Sequence, residues 1–275
     1  MSQVILSFNL EDAWLDLQPQ PLALPEPYRS KIVKHWDHVN HDGRFFNGKV
    51  LTATGLNLTS STPVITLAVT DYAHYLYAKH DHTHEVDCRA VYCAALLFTS
   101  DNHLLLGQMS AHTSSPGQIQ CPGGGIEIGR DNGIDPRSCC RRELEEEIGA
   151  AFLKGGPVFQ TICIKSGGDL ETIGLFYALR LTCDARGALE IFTHHQTELR
   201  SAGEKPEFDR LHALEFSRGS IADFVTTQGD ILVDYLRPLL KDRREDLRIA
   251  LEKGGGTKTV PAGTRPLSTR QLRPI

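Results

Sequence analysis

The stretch PGGGIEIGRDNGIDPRSCCRRELEEEIGA, residues 122–150, decides how this chain of 275 residues is read. Its second half is a charged helical run over about 136–148, with Gly149 where a helix stop belongs. Glu143, Glu146 and Glu147 stand at i, i+3 and i+4, which puts three carboxylates on one helix face. Like charges at that spacing repel, and a hard divalent cation with oxygen ligands offsets them. Mg²⁺ favours a few carboxylates plus substrate phosphates over a closed protein cage. Upstream, Gly123, Gly124 and Gly125 permit backbone conformations and close approaches that a side chain blocks. A Gly-rich turn leading into an acidic helix therefore reads as a site for a metal-bridged phosphate substrate. The plainer alternative is a solvated acidic helix face.

Outward from this stretch the chain alternates strands and helices. Residues 91–99 are apolar and strand-like, Ser100-Asp101-Asn102 is a turn, and 103–108 reads as the returning strand. Residues 158–165 and 172–182 read as two more strands around SGGD. Residues 221–225 and 231–253 read as helices, the second with Leu232, Leu236, Leu239 and Leu240 on one apolar face. On the other side, 1–17 alternates weakly, a proline cluster follows, and 28–38 carries Ile32, Val33 and Trp36 at helical spacing. Residues 49–58 and 64–69 are β-prone.

Composition narrows the function classes. Hydrophobic residues make up 40% and charged residues 23%, ordinary globular usage. The net charge of −5 gives no general attraction to nucleic acid or acidic membranes. The longest apolar run, 90–98, is too short to span a bilayer, and the first residues have no basic leader. Seven cysteines, an odd number at irregular spacings, read as reduced thiols of a cytoplasmic protein. A small-molecule substrate, with neither nucleic acid nor membrane as partner, is expected, and a homodimer is left open.

The run R-E-L-E-E-E-I-G-A, residues 142–150, resembles the second half of the Nudix box, G-x5-E-x7-R-E-U-x-E-E-x-G-U with U aliphatic. Arg142, Glu143, Leu144, Glu146, Glu147, Gly149 and Ala150 all fall in place, and the preceding PGG is similar to the family's usual entry. The resemblance implies an α+β chain with the Nudix fold, a mixed β-sheet sandwiched between helices, preceded by a small strand-rich N-terminal region. The expected division is 1–86 for that region, 87–253 for the Nudix domain, and 254–275 for a disordered basic tail. It implies hydrolysis of a nucleoside diphosphate linked to another moiety, with Mg²⁺ or Mn²⁺ as cofactor. Glu143, Glu146 and Glu147, with the Gly123 backbone, would hold the metal. Arg142 would orient the glutamates, and Gly124 and Gly125 would approach the substrate. A general base in this family often comes from this helix, where Glu143 and Glu147 are candidates, or from a later loop. Here that is 194–209, with Glu198, Glu204 and Glu207, of which Glu207 is preferred.

The sequence departs from the family in two ways. Gly124 to Ala150 spans 27 residues, four more than the box, so the loop around 130–135 is longer. The first box Glu has no counterpart, since Arg130 or Ile134 stands there depending on the direction of counting. Asp131 is the candidate outer metal ligand in its place, and Asp135, followed by Pro136, is the candidate N-cap of the acidic helix. A noncatalytic Nudix-fold sensor or regulator of nucleotide sugars is the alternative function. A Nudix-fold isomerase would want a cysteine such as Cys121 in its pocket.

The front third adds a weaker resemblance. HWDHVNHDGRFFNGKVLTATGLNL and VITLAVTDYAHYLYAKH, with Trp36, Phe46, Asn47 and Tyr72, are similar in order to Nudix hydrolases acting on UDP-sugars. UDP-glucose or UDP-galactose is implied, with ADP-ribose a close competitor. His80, His82 and His84 would share one face if extended, although a polar surface reading is preferred. Cys139 and Cys140 read as small core residues.

Overall fold

The computed structural model describes residues 3–81, 83, 85–129, 133–168 and 170–254. The tail from 255 onward lies outside the described residues, as do Arg130, Asp131, His82 and His84. The first half of the chain forms β1 (Ile5–Phe8), β2 (Trp14–Leu17), α1 (Glu26–Val39), β3 (Lys49–Asn57), β4 (Val64–Asp71) and α2 (Tyr72–His80). There follow β5 (Val91–Phe98), β6 (His103–Met109), β7 (Ile119–Gln120), α3 (Pro136–Leu144), β8 (Gln160–Ser166) and β9 (Ile173–Arg180). The chain continues with α4 (Ala185–Ser201), β10 (Phe208–Glu215), α5 (Arg218–Gln228), α6 (Leu236–Lys241) and α7 (Arg244–Gly254).

A strand that is apolar at every position needs cover on both faces. β5, VYCAALLF, is such a strand, and it lies inside a seven-stranded mixed sheet ordered β1-β8-β9-β5-β6-β10, with β7 also on β6. Only the β5–β9 pair is parallel; the other pairs of this sheet are antiparallel. On one face Val91, Cys93, Ala95 and Leu97 pack with Cys139, Cys140 and Leu144 of α3 and Ala188 and Phe192 of α4. On the other, Ala94, Leu96 and Phe98 pack with Ile221, Val225, Leu236, Leu239, Leu240 and Leu247 of α5 to α7. This is the expected mixed sheet between helices. Cys139 and Cys140 are buried in its core, as expected of small packing residues.

The front third forms a three-stranded sheet, β2-β4-β3, whose Leu51, Ala53, Ile65 and Leu67 join the same core as α3 and α4. A bridge from Thr52 to Ala90 and the bond from the Ala53 N–H to the Arg89 carbonyl tie it to the start of β5. β1 does not stay with this small sheet. It is an edge strand of the large one, paired with β8 from Ile5↔Ser166 to Phe8↔Cys163.

Three readings of local structure are corrected. Residues 194–209 are not a loop, because α4 runs to Ser201. Its buried stripe is Ala188, Phe192 and Gln196, so the third turn shows a polar residue where a periodicity reading needs an apolar one. Residues 231–253 are not one helix. Pro238 would clash with the carbonyl four residues before it, and the chain at 232–233 is taken up by pairing with Ile119 before α6 begins. Finally, His80 ends a helix and is not on an extended segment. The Asp71 side chain caps α2 by accepting from the His74 N–H at 2.9 Å.

Candidate active site

β5 and β6 pair only through Leu97↔Leu105 and Phe98↔Leu104, and then diverge. The glycine turn occupies the opening. The Ala95 N–H donates to the Pro122 carbonyl at 2.8 Å, and the Cys93 N–H to the Gly124 carbonyl at 2.9 Å. This seats Gly123 so tightly that an added Cβ would lie 2.7 Å from Ala94 Cα and overlap the Cys93 carbonyl. Its φ of +145° also belongs to glycine. At Gly124 a Cβ would lie 2.6 Å from Glu143 Cδ, so the carboxylate packs against bare backbone.

The acidic helix starts where expected. Asp135 caps it, accepting from the N–H groups of Arg137 at 3.0 Å and Ser138 at 3.3 Å, with Pro136 in the first turn. Its hydrogen bonding then widens into a π-turn over Glu145–Gly149, a distortion common at functional sites. The three expected carboxylates end up in different settings. Glu147 is 2% exposed. Its Oε2 accepts from the Gly123 N–H at 2.7 Å, while its Oε1 is buried with no hydrogen-bond partner among the described residues. Glu143 is mostly buried, whereas Glu146 stands largely in solvent.

Arg142 gathers the cluster. It donates through Nη2 to Glu143 Oε1 at 2.8 Å and through Nη1 to Glu127 Oε2 at 2.6 Å, and its Nε lies 3.7 Å from Glu146 Oε1. The sequence reading missed Glu127. The signal was available in the alternation Ile126-Glu127-Ile128, which buries Ile126 and turns the acid the other way.

Glu207 is brought to the same place from the far end of the chain. β10 pairs with β6 from Phe208↔Met109, and the Ser110 N–H donates to the Glu207 carbonyl at 2.8 Å. Ser110 Oγ fixes the approach, bonding the Pro206 carbonyl at 2.8 Å and Asp209 Oδ1 at 2.7 Å. Glu198 is elsewhere, on the exposed face of α4 beside His194; Glu204 and Glu207 both keep exposed surface, and of the two Glu207 lines the cavity.

These groups open on a cavity of about 590 Å³ lined by Gly123, Gly124, Gly125, Glu127, Glu143 and Glu207. The opposite wall comes from the front third: Lys49 from β3 and Tyr72, Tyr75 and Lys79 from α2. Cys121 also borders the cavity, but burial pushes its thiol up to about 12, which keeps it protonated.

The electrostatics of this site are unfavourable without a cation. Burial raises Glu147 well above the usual carboxylate range, and the charges of Glu207 and Glu143 raise it further. Burial also raises Glu143, against the pull of Arg142, and raises Glu207, with Glu143 and Glu146 adding to it. Among the described residues no three His, Cys, Asp or Glu side chains stand in a ready-made metal-ligand arrangement. The fit to a cation rests on chemistry: a hard-oxygen donor set, an unpartnered Glu147 oxygen, and mutual repulsion that a divalent ion relieves.

A pH dependence follows. The folded-state values of these acids lie above the ordinary 4.5, so between 4.5 and the raised values the folded state binds more protons than the unfolded one. Stability from this source is present below about 4.5 and lost as pH rises. In a chelator, Glu147→Gln should melt above the wild type by a margin that widens from pH 5 to pH 8. Thermal scans across that range check it, and a margin that shrinks would contradict the assignment.

The family model of the NUDIX domain matches residues 89–173. Among solved structures, the MutT protein of Methanosarcina mazei is 14% identical, with 57% of this chain and 94% of that one covered and a TM-score of 0.37. An Ap4A hydrolase from C. elegans is 15% identical, with coverages of 58% and 97% and a TM-score of 0.36. The NUDIX domain of Shewanella oneidensis NrtR, complexed with ADP ribose, is 17% identical, with coverages of 66% and 99% and a TM-score of 0.35. No curated protein sequence matches the chain.

Proposed function

We propose, from the match of the NUDIX domain model to residues 89–173 and the acidic cluster described above, that the chain is a metal-dependent pyrophosphohydrolase acting on a nucleoside diphosphate linked to another moiety. The observation that carries this reading is Glu147: a buried carboxylate with one oxygen on the N–H of Gly123, itself a cavity-lining residue, and the other without a partner among the described residues, raised further by the charges of Glu207 and Glu143.

Glu143, Glu146 and Glu147 would hold Mg²⁺ or Mn²⁺, with the Gly123 backbone positioning Glu147. When bound, such an ion neutralises charge on the pyrophosphate oxygens and acidifies the attacking water. Arg142 opposes the rise of Glu143 and aims its carboxylate through a charge-assisted bond. Glu207, raised by burial and by its acidic neighbours, would take a proton from water. Gly124 and Gly125 let the substrate approach the backbone. Asp131, proposed as an outer ligand, lies outside the described residues. Glu127, already paired to Arg142, supplies the extra carboxylate of the cluster.

The substrate class favoured is a nucleotide sugar such as UDP-glucose or ADP-ribose, since a second wall bearing Tyr72 and Tyr75 gives room and aromatic surface beyond the pyrophosphate. All seven thiols are unpaired, which suits the cytoplasm. Among the described residues no helix is long and apolar enough to cross a membrane.

The test is a screen of nucleoside-diphosphate compounds with Mg²⁺ and Mn²⁺, read as phosphate released after phosphatase coupling. Metal-dependent release from a nucleotide sugar is expected. Tight binding without release would favour the sensor reading.

A further inference from the structure

The cavity is also lined by a lysine that no carboxylate among the described residues neutralises. Lys79 projects from the last turn of α2, and its Nζ donates to the Ser114 carbonyl at 2.8 Å and to Ser115 Oγ at 3.0 Å. It stands 5.7 Å from the centroid of the Tyr75 ring. An ammonium has three donors, and these contacts take two. No carboxylate among the described residues pairs with Lys79, and burial lowers its pKa. Lys79 is half-buried, and withdrawing an ammonium even partly from water without a counter-charge is costly.

Its position is held firmly. The Asn47 side chain accepts from the Ala73 N–H at 2.8 Å, and the Tyr72 N–H donates to the Gly48 carbonyl at 2.9 Å. Tyr28 of α1 packs edge-on against Tyr77 of α2, with centroids 5.3 Å apart. The helix is anchored and the ammonium is held by Ser114 and Ser115, in a cavity also lined by Lys49 and by the acids Glu127, Glu143, Glu207 and Asp234, the last paired with Lys165. A ligand that suits both walls is an anion that also carries a divalent cation on its acidic side. A diphosphate has that chemistry.

We propose that Lys79 binds the diphosphate of the ligand, so that the front third of the chain supplies a phosphate contact to the active cavity. This deepens the hydrolase reading and rests on it for the identity of the cavity. It places a diphosphate-binding charge outside the segment 89–173 that matches the NUDIX domain.

The probe is methylenediphosphonate with saturating Mg²⁺, a diphosphate mimic that cannot be hydrolysed. Lys79→Met keeps the stem and removes the charge, and should weaken binding by about tenfold or more. Lys79→Arg should stay within about threefold of the wild type. Binding by Lys79→Met equal to that of the wild type would overturn the proposal. Should Lys79→Met fail to fold, the wild-type chain decides the matter. The probe should shield Lys79 from an acetylating reagent, read by mass spectrometry, and unchanged acetylation would also overturn it. Lys79-dependent binding in a chain that shows no metal-dependent turnover would keep this proposal and remove the hydrolase reading.

Discussion

Glu147→Gln should leave a folded chain that turns over its substrate about 10³-fold more slowly at saturating Mg²⁺, the scale of several kcal/mol of charge stabilisation. The substitution is nearly isosteric. The amide oxygen can still accept from the Gly123 N–H, so the glycine turn keeps its anchor. What disappears is the charge at the unpartnered Oε1. The metal-free variant should be at least as stable as the wild type, because a buried carboxylate crowded by Glu207 and Glu143 has been made neutral. Steady-state turnover together with melting temperature measures both effects. Full activity in the variant would remove the central role given to Glu147.

Gly123→Ala should cost about 3 kcal/mol, equivalent to about 6–12 °C in melting temperature for a chain of this size. Two effects combine there. The φ of +145° is strained for any residue with a Cβ. The added methyl also meets rigid backbone, Ala94 Cα at 2.7 Å and the Cys93 carbonyl, so no flexible side chain can move aside. Relaxation would pull the Gly123 N–H from Glu147, and activity should fall with stability. Gly125→Ala is the internal control. A Cβ there meets nothing within 4 Å and the φ is not positive, so its melting temperature should stay close to the wild type. Equal behaviour of the two variants in a thermal scan would show that the seat of Gly123 is looser than described.

The acidic helix, its Asp135 cap and the apolar strands flanking it were legible because each rests on local chemistry. Spacing alone sets Glu143 and Glu147 on one side of a helix, and an Asp-Pro pair is a start signal in itself. The shared face did not extend to shared burial. Packing against the glycine turn sinks Glu147 and leaves Glu146 in water, and spacing carries no information about that choice. Glu207 could be picked as the acid just ahead of an apolar run. That this run is β10, paired to β6 and so delivering Glu207 to the cavity, depends on contacts about a hundred residues apart in sequence. Lys79 escaped notice for a related reason. Its helix, YAHYLYAKH, is rich in tyrosine and histidine and has no clear apolar stripe, so nothing in the local pattern separated it from an extended segment.

The order of strands in the large sheet bears on how the chemistry could be transplanted. The segment 89–173 contains the glycine turn, the acidic helix and β8, yet it stops at the first residue of β9. β9 is the strand that lies between β8 and β5. Excised on its own, the segment would have a gap through its middle. β5, apolar along its whole length, would be left with an open row of backbone donors and acceptors, the template on which chains add to one another as fibres. The signature thus travels between proteins as a set of reactive groups but not as a self-standing fragment. A chimera that borrows it would have to carry at least residues 89–180, and would need β10 as well if Glu207 is to come with it.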